Sequence, residues 1–210
     1  MNSFAGRGRH VLAAASLLLA AACAPTPEAR VGDARLAYAD GVEAPPAGGT
    51  DVIVVPNRPA ALPDGAAPLR IAVDRDAVFA DVWPLIRAVR DRGVPAVFYV
   101  HDRRRRVRVM AIDPPPGGRA IRVTATAADG KVCVNLPDVP EAKCAMTAQR
   151  RVDRPSVRQF VREAFRASGI RKVRVDAEGG LRWSDVVRAV DGARTCCQGE
   201  QMEVGLSLLQ

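Results

Sequence analysis

The chain has 210 residues, 31 Lys and Arg against 23 Asp and Glu, and a formal charge of +8, with 48% of residues hydrophobic. That length fits one ordinary domain or two small ones, and the apolar content excludes a disordered chain, which lacks side chains to bury. The positive balance is nearly all arginine and favours acidic neighbours such as lipid headgroups or cell-wall polymers, without specifying either.

The N-terminus sets the expected compartment. MNSFAGRGRH carries Arg7 and Arg9 and no acid, and the run VLAAASLLLAAA that follows is apolar. It is shorter than the roughly 20 residues that span a bilayer. A basic start, a short apolar core and small residues at its end predict a signal peptide over residues 1–22. Ala20-Ala21-Ala22-Cys23 fits a bacterial lipobox, with Ala20 where leucine is commonest, and Ala20-x-Ala22 also fits ordinary signal peptidase. We read the lipobox, which makes Cys23 a lipidated anchor at about 0.8 kcal/mol per buried CH2. Cleavage there removes Arg7 and Arg9 and no acid, so the charge falls from +8 to +6. The expected place is the cell envelope, facing the periplasm. Ala24 is not the aspartate that retains some lipoproteins at the inner membrane, which favours the outer one. Nucleic acid is not expected as a partner of an exported protein.

Residues 23–50 are rich in Ala, Pro and Gly, lack apolar periodicity and predict a flexible tether. In residues 51–112, strands are expected at 51–55 and 69–73, a helix at 79–92, and strands at 96–100 and 107–112. Val82, Leu85, Ile86 and Val89 gather on one helix face. Asp81 is a candidate cap, Pro84 falls in the first turn, and Gly93 is a C-terminal stop. DPPPGG at 113–118 predicts an extended spacer within a linker over 113–119.

Residues 120–210 predict a hairpin of strands 120–127 and 131–135 around AADG, with Gly130 free to take a positive φ. A helix follows at 153–168 with Gly169 past its end, then a strand at 171–175, a helix at 183–194 and a strand at 202–208. The fold class is α+β: two tandem sheet-plus-helix modules of ββαβαβ type, the first abbreviated.

Four cysteines follow Cys23: Cys133, Cys144, Cys196 and Cys197. In an oxidising compartment an even count predicts disulfides. Four cysteines allow three pairings, among which the sequence does not choose; a bridge between adjacent Cys196 and Cys197 is strained, so each is expected to pair with Cys133 or Cys144 if both bridges form. Zinc is the alternative, without the usual spacing of two residues between ligands.

The two blocks repeat a unit. Val73-Asp74-Arg75-Asp76 matches Val175-Asp176-Ala177-Glu178, Phe79 matches Trp183, and Arg87-Ala88-Val89 matches Arg188-Ala189-Val190. The second copy has two extra residues in GGLR, where a longer loop costs little. VDRDAVFADVWPLIRAVRDRGV and VTATAADGKVCVN resemble the periplasmic domain of the ExbD/TolR biopolymer-transport family: a strand ending in Asp, a polar turn, an aromatic, a helix, Gly and a closing strand. The resemblance covers most of both blocks and implies a soluble module that dimerises and binds partners. It does not carry over the family's motor chemistry, which needs an aspartate in a transmembrane helix; the first Asp here is Asp33.

The acids Asp74, Asp76, Asp176 and Glu178 are candidates for acid–base work or metal binding. Their recurrence at equivalent turns favours a geometric role, satisfying turn amides and helix N-termini. His101 is the histidine left after cleavage, so a catalytic arrangement would run through it. Arg103, Arg104, Arg105 and Arg106 form either a solvated turn that discourages strand pairing or a contact for an anion, each arginine worth about 1 kcal/mol at an anionic leaflet. The expectation is a non-enzymatic envelope protein without cofactor or metal. It would be held to the membrane by its lipid and would contact a protein partner or the cell wall, with a homodimer as one form. The alternatives are an envelope hydrolase using His101 with nearby acids, and a purely structural spacer.

Overall fold

The computed structural model describes residues 27–209 apart from 59, 66, 138 and 148. The signal peptide and Cys23 lie outside the described residues. No helix among those described is long and apolar enough to cross a membrane.

The architecture is α+β, with three helices among the described residues on two main sheets. The first sheet runs in the order β3 (Thr50–Val54), β4 (Leu69–Val73), β5 (Ala96–His101), β6 (Val107–Met110). β3, β4 and β5 are parallel, and β6 is antiparallel to β5. Helix α1 (Phe79–Asp91) crosses from β4 to β5. It buries Phe79, Val82, Leu85, Ile86 and Val89, the stripe that three- and four-residue spacing predicts. The N-cap is Val78, not Asp81, which sits in the first turn. Gly93 takes φ 62° just beyond the helix.

The second sheet runs β11 (Glu203–Leu209), β10 (Lys172–Glu178), β7 (Ile121–Ala125), β8 (Val132–Asn135), β9 (Lys143–Ala145). β7 and β8 form the expected hairpin, with Gly130 at φ 63°. β10 is parallel to both β7 and β11. Helix α2 (Arg154–Ser168) starts at Asp153, whose carboxylate accepts from the Ser156 N–H at 3.0 Å, and ends at left-handed Gly169. Helix α3 (Trp183–Arg194) crosses from β10 to β11. Thus β4–α1–β5 and β10–α3–β11 are the same βαβ unit.

The two units share one apolar core. Phe79, Phe98 and Trp183 are all buried, with ring centroids 6.5 Å apart for Phe79–Trp183 and 5.3 Å for Phe98–Trp183. Their turns also bond to each other. Phe79 N–H donates to the Leu181 carbonyl (2.8 Å) and Trp183 N–H to that of Ala77 (2.7 Å); Ala80 N–H donates to Gly179 (2.9 Å) and Ser184 N–H to Arg75 (2.9 Å). Each bond has its counterpart in the other repeat. The first two orphan donors of each helix are therefore satisfied across the repeats, and neither Val78 nor Arg182 caps with its side chain.

Residues 27–50 differ from the tether expected of them. β1 (Arg30–Val31) pairs with β2 (Ala34–Arg35), and Ala34, Leu36, Ala37 and Ala39 are buried. His101 N–H donates to Ala37 and Ala39 N–H to His101, while Glu43 pairs with Val109 on the outer side of β6. The segment thus covers strand edges that would otherwise stay bare. Small side chains let it lie close without the alternation that marks a longer strand. The proline linker likewise lies on the fold: the Leu206 N–H donates to Asp113 (3.0 Å), and the Pro114 carbonyl sits where a side chain at Gly205 would stand.

Candidate functional site

Cys133 and Cys144 are bonded to each other, opposite one another on β8 and β9. Cys196 is buried and free, and Cys197 is free and half-buried. This corrects the expected pairing of each late cysteine with an earlier one. The hairpin register brings the first two together, while the later two sit at the end of α3, where Arg162 Nε donates to the Cys196 carbonyl (2.7 Å). Burial, with the neighbouring Cys197, pushes the Cys196 thiol up to about 12. Among the described residues no group of three or more His, Cys, Asp or Glu is placed to hold a metal ion.

His101 ends β5 with its ring 5.6 Å from that of Tyr38, and its Nδ1 is 3.0 Å from the Asp102 carbonyl oxygen. The Asp102 carboxylate faces the arginine turn instead. It accepts from the backbone N–H groups of Arg104 (2.9 Å) and Arg106 (3.0 Å) and from the Arg106 and Arg108 side chains. Those bonds outweigh desolvation and hold it at about 2. Arg103 donates to Tyr38 Oη (3.1 Å) and Asp40 (3.3 Å), and Arg105 donates to the Pro27 carbonyl (2.7 Å). The turn is built largely from its own charges.

A second network lies beneath it. Arg154 Nη1 donates to Asp40 (2.6 Å) and to fully buried Asp191 (2.7 Å), whose other oxygen accepts from the N–H groups of Asp40 and Gly41. The Arg154 guanidinium also lies over the Tyr38 ring, 5.0 Å from its centroid. Desolvation alone would raise Asp40, but Tyr38, Arg154 and Arg103 hold it well below the carboxylate range. These groups tie residues 38–41 to α2 and α3.

The repeat's acids divide in function. Buried Asp74 accepts from Arg35 N–H (3.0 Å), Nε (3.0 Å) and Nη2 (2.9 Å), and from the Asp76 turn amide (3.0 Å). Glu178 accepts from Ala127 N–H at 2.6 Å. Asp176, although aligned with Asp74, caps no turn. It points to the face of the second sheet opposite its helices, beside Arg122, Arg174 and Ser207.

That face follows from strand alternation. Ile121, Val123, Val173, Val175, Val204 and Leu206 are buried on the helix side, so Arg122, Arg174, Asp176 and Ser207 take the other. Register sets Arg122 directly against Arg174, a like-charge pairing that destabilises a sheet unless neutralised. Asp176 neutralises it: Arg122 Nε donates to Oδ2 (2.5 Å), Arg174 Nε to Oδ1 (2.7 Å), and Ser207 Oγ to Oδ1. The Asp176 side chain is fully buried, while those of Arg122 and Arg174 remain 54% and 46% exposed. Burial would raise Asp176; the bonds from Ser207, Arg174 and Arg122 outweigh it and lower it. A carboxylate held ionised this firmly orients its neighbours better than it carries protons.

These residues line a cavity of about 660 Å³, with Trp83 and Arg87 from α1 and Leu208 from β11 on its walls. Both arginines meet Asp176 through Nε, and their Nη groups have no acceptor among the described residues. Arg87 has no polar partner there either. The sequence carries the signal for this site in the parity of Arg122, Arg174 and Asp176 within alternating strands, which the reading of Asp176 as a turn acid passes over. No family model matches the chain, and no curated protein matches it in sequence.

Proposed function

We propose that this chain is a lipid-anchored binding or scaffold protein of the cell envelope, held by Cys23 and facing the periplasm, that contacts a protein partner or the cell wall. The observation that carries the reading is the arginine-lined cavity on the face of the second sheet opposite its own helices. Helices cover the sheet's other side, and the carboxylate among the arginines serves as their counterion. The basic, short apolar N-terminus ending in Ala-Cys supports export and lipidation. The two βαβ units support a relationship to ExbD/TolR periplasmic domains. Those units pair through their own turns, a one-chain counterpart of the dimerisation that the resemblance implies.

Crosslinking in living cells followed by mass spectrometry tests the reading: a reproducible envelope partner supports it, and crosslinks no different from those of an unrelated exported protein count against it. Metabolic labelling with a fatty acid tests the anchor. The native chain should be labelled and Cys23→Ser should not; equal labelling of both refutes the placement.

A further inference from the structure

We propose that the cavity on the open face of the second sheet binds a phosphomonoester, with Arg122, Arg174 and Arg87 holding its dianionic phosphate. The inference rests on the reading of this face as the contact surface and names the chemistry it recognises.

Charge comes first. Three guanidinium groups line the cavity and one carboxylate, Asp176, offsets one of them. The excess of two positive charges matches a phosphomonoester, which carries about −1.5 to −2 at neutral pH, better than a carboxylate or a diester of single charge. Geometry comes second. Arg122 and Arg174 stand opposite each other on adjacent strands and are fixed through Nε to different oxygens of one buried carboxylate. Their Nη groups are thereby held in place and left free to donate, the planar fork that suits phosphate oxygens. Holding them beforehand spares side-chain entropy on binding. Arg87, on the exposed side of α1, brings a third guanidinium from another element.

Size comes third. About 660 Å³ is room for more than a bare phosphate. Leu209, on the same side of β11 as Ser207, and the part of the Trp83 ring not covered by Arg90 and Phe79 offer apolar surface to the body of the ester. A phosphorylated sugar and a lipid headgroup both present this chemistry.

The experiment uses the full chain in detergent. Glucose 1-phosphate and inorganic phosphate are titrated by calorimetry. Flotation with phosphatidylcholine vesicles carrying either phosphatidic acid, a monoester, or phosphatidylglycerol, a diester, distinguishes a membrane source from a soluble one. Saturable binding of glucose 1-phosphate or of phosphatidic acid vesicles, with little binding of phosphatidylglycerol, is expected. The Arg122→Gln/Arg174→Gln variant should bind at least tenfold more weakly. Arg87→Gln, which removes no internal contact among the described residues, should weaken binding about three- to tenfold while leaving the thermal melt unchanged. Arg104→Gln/Arg166→Gln removes the same charge elsewhere and should bind as the native chain does. Binding that is equal for both lipids, or that falls equally in the two double variants, overturns the site in favour of general attraction to a basic protein. Absence of binding by every phosphate probe overturns it as well. If crosslinked partners and Cys23 labelling persist in that case, the phosphate inference fails alone; if binding survives while those are lost, the envelope reading fails alone.

Discussion

Val78 and Arg182 face each other in an antiparallel bridge, each the residue immediately before a helix of its own repeat. Around them the N–H groups of one helix start donate to the carbonyls of the other repeat's turn, and the reverse. Each βαβ unit thus completes the helix of its twin. Neither helix start carries a side-chain cap because neither needs one.

This changes what proline does at a helix start. In the first turn proline is ordinarily tolerated, since its missing N–H has no partner there. The Ala80 N–H has one, the Gly179 carbonyl at 2.9 Å. Ala80→Pro should therefore cost about 0.5–1.5 kcal/mol, the net worth of the hydrogen bond it removes. Because the repeats share a core, unfolding in urea should remain one transition by both tryptophan fluorescence and far-UV circular dichroism. Two separated transitions would mean that the units fold independently.

Trp183 joins that core and carries a second expectation. It is fully buried against Phe79 and Phe98, yet its Nε1 has no hydrogen-bond partner among the described residues. Trp183→Ala should cost about 3–5 kcal/mol through lost contact and the cavity left behind. Trp183→Phe removes the unpaired N–H along with part of the ring, so the relieved desolvation offsets part of the lost packing. Its cost should be under half that of the alanine variant by denaturant titration. Equal costs would show that the indole N–H is satisfied in solution.

Elements with strong periodicity were legible in the sequence and those without it were not. Helix α3 lies at the expected residues, and α2 is bounded by Asp153 and Gly169, a cap and a left-handed stop with clear chemistry. β1, β2 and β9 are two or three residues long, too short to show alternation. The burial of Leu36 and the Arg35–Asp74 pair depend on contacts far along the chain, which local composition does not encode. The arginine face is an intermediate case. Alternation places Arg122 and Arg174 on one side of their strands, but their meeting depends on β10 lying beside β7.

The Cys133–Cys144 bond closes a short loop, with a sequence separation of 11. Loop-closure entropy for that length is worth about 3 kcal/mol. Cys133→Ser/Cys144→Ser should lose about 2–3 kcal/mol, while Cys197→Ser, at a free and half-buried thiol, should change stability little. Peptide mapping after alkylation without reductant should find Cys197 modified and Cys133 linked to Cys144. A linked peptide joining Cys196 or Cys197 to either would contradict the register of β8 and β9.

Asp176 sets how the arginine face responds to acid. Its carboxyl lies below the ordinary range because bonds from Ser207, Arg174 and Arg122 outweigh burial, and Asp74 is lowered in the same sense by Arg35 and the turn amides against its own burial. A group whose folded pKa is depressed contributes its full stabilisation above the unfolded value, about 3.9 for aspartate, and loses it as pH falls through the lower folded value. Stability from these two residues should be flat from pH 7 to about pH 5 and fall below about pH 4. At pH 7, Asp176→Asn should cost about 1–3 kcal/mol, less than the 3–5 typical of a broken buried pair because Arg122 and Arg174 can hydrate. The gap between this variant and the native chain should narrow as pH drops below about 4, measured by urea titration at a series of pH values. A gap that stays constant to pH 2 would mean that Asp176 has the same pKa folded and unfolded, so that the bonds from Ser207, Arg174 and Arg122 do not favour its ionised form.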